Sequence, residues 1–80
     1  KPNVLKIDVE GAEVEVLKGA TQLLKETRPI VICEVGEENS HEVFKILDEL
    51  NYSIYDGDIP KPNRTKLQMA PWGTLAIPNP

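Results

Sequence analysis

Apolar positions along the chain alternate between short continuous runs and stripes of helical spacing. The first run, Val4 to Val9, is largely apolar at both parities despite Lys6. That pattern predicts a strand covered on both faces of a parallel sheet. Gly11 supplies a turn, and a helix is predicted from Ala12 to Glu26. Val16, Leu17, Ala20, Leu23 and Leu24 make its apolar stripe, since residues three, four and seven apart share one helical face. Gly19 lies inside this helix, where glycine costs roughly 1 kcal/mol relative to alanine. Close approach of the helix to the sheet is the expected compensation. Pro29 ends the helix and should push Arg28 toward extended geometry.

Ile30 to Val35 is a second strand, apolar until Glu34. Gly36-Glu37-Glu38-Asn39 is a polar loop, and a second helix is predicted over Ser40 to Leu50. Asn39 or Ser40 can cap it, with Glu42 completing a variant of the capping box. Val43, Phe44, Leu47 and Leu50 form its stripe, with Ile46 on the shoulder. Asn51 suits a left-handed C-terminal cap. Tyr52 to Tyr55 is a third strand and Thr74 to Ile77 a fourth, separated by a long loop carrying Pro60, Pro62 and Pro71. Structureless loops of that length are uncommon and often functional or mobile.

The predicted order is β-α-β-α-β-loop-β. Helical crossovers make the first three strands parallel, whereas the last, reached without a helix, is expected to run antiparallel. This is an α/β chain, half of a doubly wound sheet.

Composition narrows the function. The chain has 80 residues, 40% hydrophobic and 28% charged, with a net charge of −4. A chain of this size buries only about 60% of its extended surface, so its core is modest. The negative charge argues against nucleic-acid binding, which needs clustered Lys and Arg, and gives no attraction to an anionic membrane. No apolar run approaches the roughly 18 residues that span a bilayer, and a cytoplasmic location is expected. The single cysteine, Cys33, lies in an apolar run and reads as a buried small hydrophobe.

Acids crowd the first strand-to-helix junction: Asp8, Glu10, Glu13 and Glu15. In open α/β sheets ligands bind outside the carboxyl ends of the strands, and this junction lies at such an end. Asp8 and Glu10 share a side if the strand continues that far. Two carboxylates are a weak metal signal with no His or third acid beside them, so no metal is expected. Glu13 and Glu15 read as solvated first-turn acids, favourable against the helix dipole. His41 begins a helix and reads as exposed.

The segment KIDVEGAEVEVLKGA, Lys6 to Ala20, resembles the FkbM-type methyltransferases, as do Arg28 to Val35 and the closing Leu75-Ala76-Ile77-Pro78. Members are similar to class I S-adenosylmethionine-dependent methyltransferases, whose seven-stranded sheet has the order 3-2-1-4-5-7-6. The resemblance makes the four strands here numbers 4 to 7, in the order 4-5-7-6 with the last antiparallel. The glycine-rich loop after strand 1 and the ribose-binding acid after strand 2 have no counterpart in the sequence. The expectation is a partial methyltransferase domain over residues 1–80, lacking the half that grips S-adenosylmethionine and inactive alone.

The resemblance implies methyl transfer to a hydroxyl of a sugar or other natural-product scaffold. Asp8 then faces the crevice where the acceptor lies and takes or orients its hydroxyl proton, with Glu10 beside it. Glu34, Asp56 and Trp72 are the substrate-contact candidates. Asp58 and Arg64 share the rim, and Trp72 is either a platform for a sugar ring or packed under the loop. The competing expectation is a non-catalytic α/β module, pairing its exposed Val4–Val9 edge with a second copy as a homodimer.

Overall fold

A computed structural model describes residues 4–80. Its elements are β1 (Val4–Ile7), α1 (Glu13–Gly19), α2 (Thr21–Thr27), β2 (Ile30–Glu34), α3 (Ser40–Glu49), β3 (Tyr52–Asp56) and β4 (Gly73–Pro78). Single 3-10 turns lie at Glu37–Asn39 and Lys61–Asn63. The strands form one mixed sheet in the order β1-β2-β4-β3. β1 and β2 pair in parallel, with Val4 opposite Ile30 and Ile7 opposite Cys33. β4 runs antiparallel to both β2 and β3, so the three preceding strands point the same way. The predicted strand directions match those observed.

One face of the sheet carries the core. Leu17, Leu24, Val43 and Leu47 from the helices are buried with Val31, Cys33, Ile54 and Ala76 from the strands. Burying each large aliphatic side chain contributes about 1.5–3 kcal/mol. The other face is open. Val4, Ile32 and Ile77 are exposed there at 50, 42 and 36%, beside Lys6 and Leu75 in the same register. The first strand is therefore covered on one face within the described residues, not on two.

Four local expectations are corrected. The first helix is not continuous: it breaks at Ala20, whose N–H is shared between the carbonyls of Val16 (2.9 Å) and Leu17 (3.2 Å). The Thr21 hydroxyl donates to the Leu17 and Lys18 carbonyls at 3.2 and 2.9 Å. Such back-bonding competes with regular helix and bends it. α2 then turns Leu24 inward and leaves Leu23 exposed. Second, Gly19 makes no close approach; a Cβ there would meet nothing within 4 Å.

Third, Arg28 is left-handed rather than extended, with φ 49° and ψ 52°. Its side chain explains why. Nη1 donates to the Leu50 carbonyl at 2.7 Å and Nη2 to the Asn51 carbonyl at 2.8 Å. The guanidinium also lies 4.7 Å from the centre of the Tyr52 ring. One side chain thus ties the end of α2 to the end of α3. Fourth, neither Asn39 nor Ser40 caps α3. The Ser40 hydroxyl donates to the Ala70 carbonyl at 2.7 Å, and the 3-10 turn before α3 supplies the lead-in. Asn51 does adopt the left-handed cap, at φ 65°.

The long loop is pinned at three places. The Leu67 N–H donates to the Ile54 carbonyl (2.8 Å), Ala70 accepts from Ser40, and the Val35 N–H donates to the Trp72 carbonyl (2.9 Å). The last of these holds Trp72 against the carboxyl end of β2, which places it at the site.

Candidate active site

β1 stops at Ile7, so Asp8 is the first residue beyond the strand and Glu10 lies in the following turn. Because β1 and β2 run parallel in the register Ile7–Cys33, Asp8 and Glu34 leave the sheet side by side. Gly11, at φ +76°, turns the chain back toward α1; a side chain there would be strained, which is why glycine serves. The β2–α3 connection rises opposite.

Between these segments is a crevice of about 480 Å³, lined by Asp8, Glu10, Glu13, Glu34, Glu37 and Glu38 together with Val9, Gly11, Gly36 and Trp72. Four of the five substrate and catalytic candidates, Asp8, Glu10, Glu34 and Trp72, come together here. Trp72 is 60% exposed, so it stands on the rim and is not packed beneath the loop. Asp56 does not line this crevice. Its Oδ1 accepts the Asp58 N–H at 2.9 Å, closing the turn after β3. Arg64 is likewise occupied, its Nε donating to the Ile59 carbonyl at 2.7 Å.

The electrostatics follow from crowding. The Asp8 carboxylate raises the Glu34 carboxyl above the usual carboxylate range, with partial desolvation and a hydrogen bond to Asp8 adding to the effect; Lys6 opposes it. Neighbouring like charges disfavour ionisation, which is why Glu34 holds its proton more tightly than a free carboxyl. Burial pushes the Cys33 thiol up to about 12, with Glu13 and Glu34 adding to it. Cys33 is buried and packs as a small hydrophobe.

Glu13 overturns its expected solvation. It is only 2% exposed. Its Oε2 accepts the Gly11 N–H at 2.7 Å and its Oε1 accepts from Asn39 Nδ2 at 3.0 Å. The signal was present in the helical spacing: Glu13 continues the Leu17, Ala20, Leu24 stripe by one turn toward the N-terminus. Glu37 and Glu38, which read in sequence as loop acids, line the crevice too, because they follow a strand that ends at the same sheet edge.

Among the described residues no cluster of three His, Cys, Asp or Glu side chains could hold a metal ion. No helix among them is long and apolar enough to cross a membrane.

An α/β sheet with a crevice outside its parallel carboxyl ends is a small-molecule binding fold, and here the crevice offers proton acceptors and an aromatic rim. The family is more specific: residues 1–54 match the methyltransferase FkbM domain, and the chain belongs to that family. It is 41% identical over 64 residues to the hexuronic acid methyltransferase AglP of Haloferax volcanii, across 80% of this chain and 26% of that protein. The chain thus spans about a quarter of that relative's length. No solved structure matches it.

Proposed function

We propose that this chain forms the acceptor side of an S-adenosylmethionine-dependent methyltransferase acting on a sugar hydroxyl. The observation that carries the reading is the crevice in which Asp8, Glu10 and Glu34 converge beneath an exposed Trp72. Family membership supplies the reaction class, and the sugar acceptor is suggested by the relative named for hexuronic acid.

The residues present do not fit the cofactor itself. S-adenosylmethionine carries a carboxylate beside its sulfonium and ammonium; the crevice acids suit the cations, but among the described residues no basic side chain lines it to receive the carboxylate, so it does not hold the whole cofactor. The Gly11 N–H, the one backbone donor of the turn bonded to a side chain, is already taken by Glu13. Among the described residues the apolar face is uncovered and the outer edge of β1 unpaired, which suits a larger sheet with the cofactor held elsewhere in it. On this reading the present strands correspond to strands 4 to 7 of the class I sheet, and the 80 residues alone do not transfer a methyl group.

The chemistry left to this chain is proton handling and placement. A hydroxyl that is to be methylated must lose its proton as its oxygen forms the new bond. Asp8 takes that proton or orients the hydroxyl, with Glu34 at its side. Glu10 accepts from a neighbouring hydroxyl. Trp72 offers a flat apolar surface to the C–H face of a sugar ring, while the acids bond to its hydroxyl edge. The excess of carboxylates favours a neutral glycoside over a hexuronate.

Trp72 is the chain's single tryptophan, so intrinsic fluorescence reports directly on the rim. Titration with a neutral methyl glycoside should shift the emission, and the same sugar as its uronate should shift it less. A spectrum that responds to neither would sink the sugar-site reading. A stronger response to the uronate would reverse the charge preference.

A further inference from the structure

Glu13 is the first residue of α1 and its carboxylate is almost wholly inside the protein. A carboxylate is tolerated in such a position only when its oxygens are bonded. Both are, and to opposite walls of the crevice. The Gly11 N–H at 2.7 Å belongs to the turn after β1, and Asn39 Nδ2 at 3.0 Å belongs to the connection after β2, 26 residues away. A helix acid serving only its own N-terminus has no use for the second bond. Nor does Asn39 serve its own helix, since its side chain makes no cap.

These two segments carry Glu10 on one side and Gly36, Glu37 and Glu38 on the other. Beyond the Asp8–Glu34 pair at the sheet edge, the Glu13 carboxylate is the side chain that joins them among the described residues. We propose that Glu13 is a positioning residue, a brace that sets the width of the crevice by holding the β1–α1 turn and the β2–α3 connection at a common carboxylate. Its effect on methyl transfer rests on the function proposed above, whereas the brace itself does not. Both donors can reach water when released, because Gly11 is exposed and Asn39 half-exposed. Loss of the link therefore relaxes the walls more than it unfolds the core.

The test is a polarity swap read at the far wall. Asn39→Asp sets a carboxylate against Glu13 and breaks the bond. Adding Glu13→Gln restores it with donor and acceptor exchanged, because the introduced amide can donate to the introduced carboxylate while its oxygen still accepts from Gly11. Backbone amide spectra and hydrogen exchange of the 80-residue chain give the readout. Asn39→Asp should shift the amide signals of residues 10–12 as well as 36–40 and speed exchange at Gly11, because the carboxylate that accepts its N–H is no longer held on its other side. The double variant should return both toward the parent. A milder variant, Asn39→Ala, should move the Gly11 signal in the same sense. Changes confined to residues 36–40, or a double variant no better than Asn39→Asp, would overturn the brace. Since no readout is catalytic, failure here is distinct from failure of the sugar-site reading, which Trp72 fluorescence reports.

Discussion

Arg28 offers a contest between backbone strain and side-chain bonding that two substitutions can separate. In the left-handed region a non-glycine residue costs roughly 1–2 kcal/mol. The side chain compensates with two bonds to carbonyls at 2.7 and 2.8 Å and the face of Tyr52 at 4.7 Å. Bonds from a charged donor contribute about 1.5–3 kcal/mol each when buried, and the half-buried setting of Arg28 puts these at or below the lower figure. The ring contact adds roughly 0.5–1 kcal/mol. Arg28→Ala loses all of this and keeps the strained backbone, a cost of about 3 kcal/mol. Arg28→Gly loses the same bonds but escapes the strain, less roughly 0.5–1 kcal/mol for the freer unfolded chain. Glycine should therefore be the more stable of the two by about 0.5–1 kcal/mol. Urea unfolding of the 80-residue chain measures both, and thermal melting should show Arg28→Ala at least ~12 °C below the parent, since small domains lose about 4–8 °C per kcal/mol. Alanine proving more stable than glycine, or either variant matching the parent, would refute the clamp.

The remaining predictions concern the interior and the crevice. Cys33, held near 12 chiefly by burial, should resist alkylation at pH 8 in the native chain and react promptly once urea unfolds it; rapid native labelling would contradict its burial. Glu34 has a native value raised above its ordinary 4.5, chiefly by Asp8. The folded state thus binds its proton more tightly than the unfolded one, and this contribution to stability is present below 4.5 and fades as the pH rises through the native value. Asp8→Asn should lower the Glu34 midpoint in a carboxyl NMR titration and flatten that part of the stability profile. An unchanged midpoint would mean the two carboxyls do not interact.

Much of the fold could be read from apolar spacing, because strands and helix stripes are local patterns. The runs at Val4 and Ile30 placed β1 and β2, and Asn51 took its left-handed cap as its residue type suggests. The departures at Arg28, Asn39 and Ser40 share a physical origin in contacts between residues distant in sequence, whereas the break at Ala20 is local, made by the Thr21 hydroxyl. Arg28 is held by carbonyls 22 and 23 residues on, Ser40 by one 30 residues on, and Asn39 by Glu13 26 residues back. No local preference for capping or extension anticipates such partners. Asp8 and Glu10 are legible as crevice acids because they close the first apolar run, although β1 stops at Ile7, two residues short of its expected end at Val9. Asp56 ends β3, which β4 separates from β2, so it lies away from the crevice between β1 and β2. Whether Trp72 lies at the rim or inside depends on the Val35–Trp72 bond that fixes the loop, a contact no local pattern announces. Glu13 is the instructive case, since its place on the Leu17 stripe outweighed the usual preference of a first-turn acid for water.

The most direct test of the acceptor-side reading is methyl transfer by the native protein that carries this chain, comparing Asp8→Asn with Glu15→Gln, an exposed acid outside the crevice. Asp8→Asn should lower kcat by about 10²-fold or more, the range for losing a positioned proton acceptor, while Glu15→Gln keeps the parent rate. An Asp8→Asn protein that methylates at full rate would remove Asp8 from the chemistry and, with it, the crevice as the place where the acceptor gives up its proton.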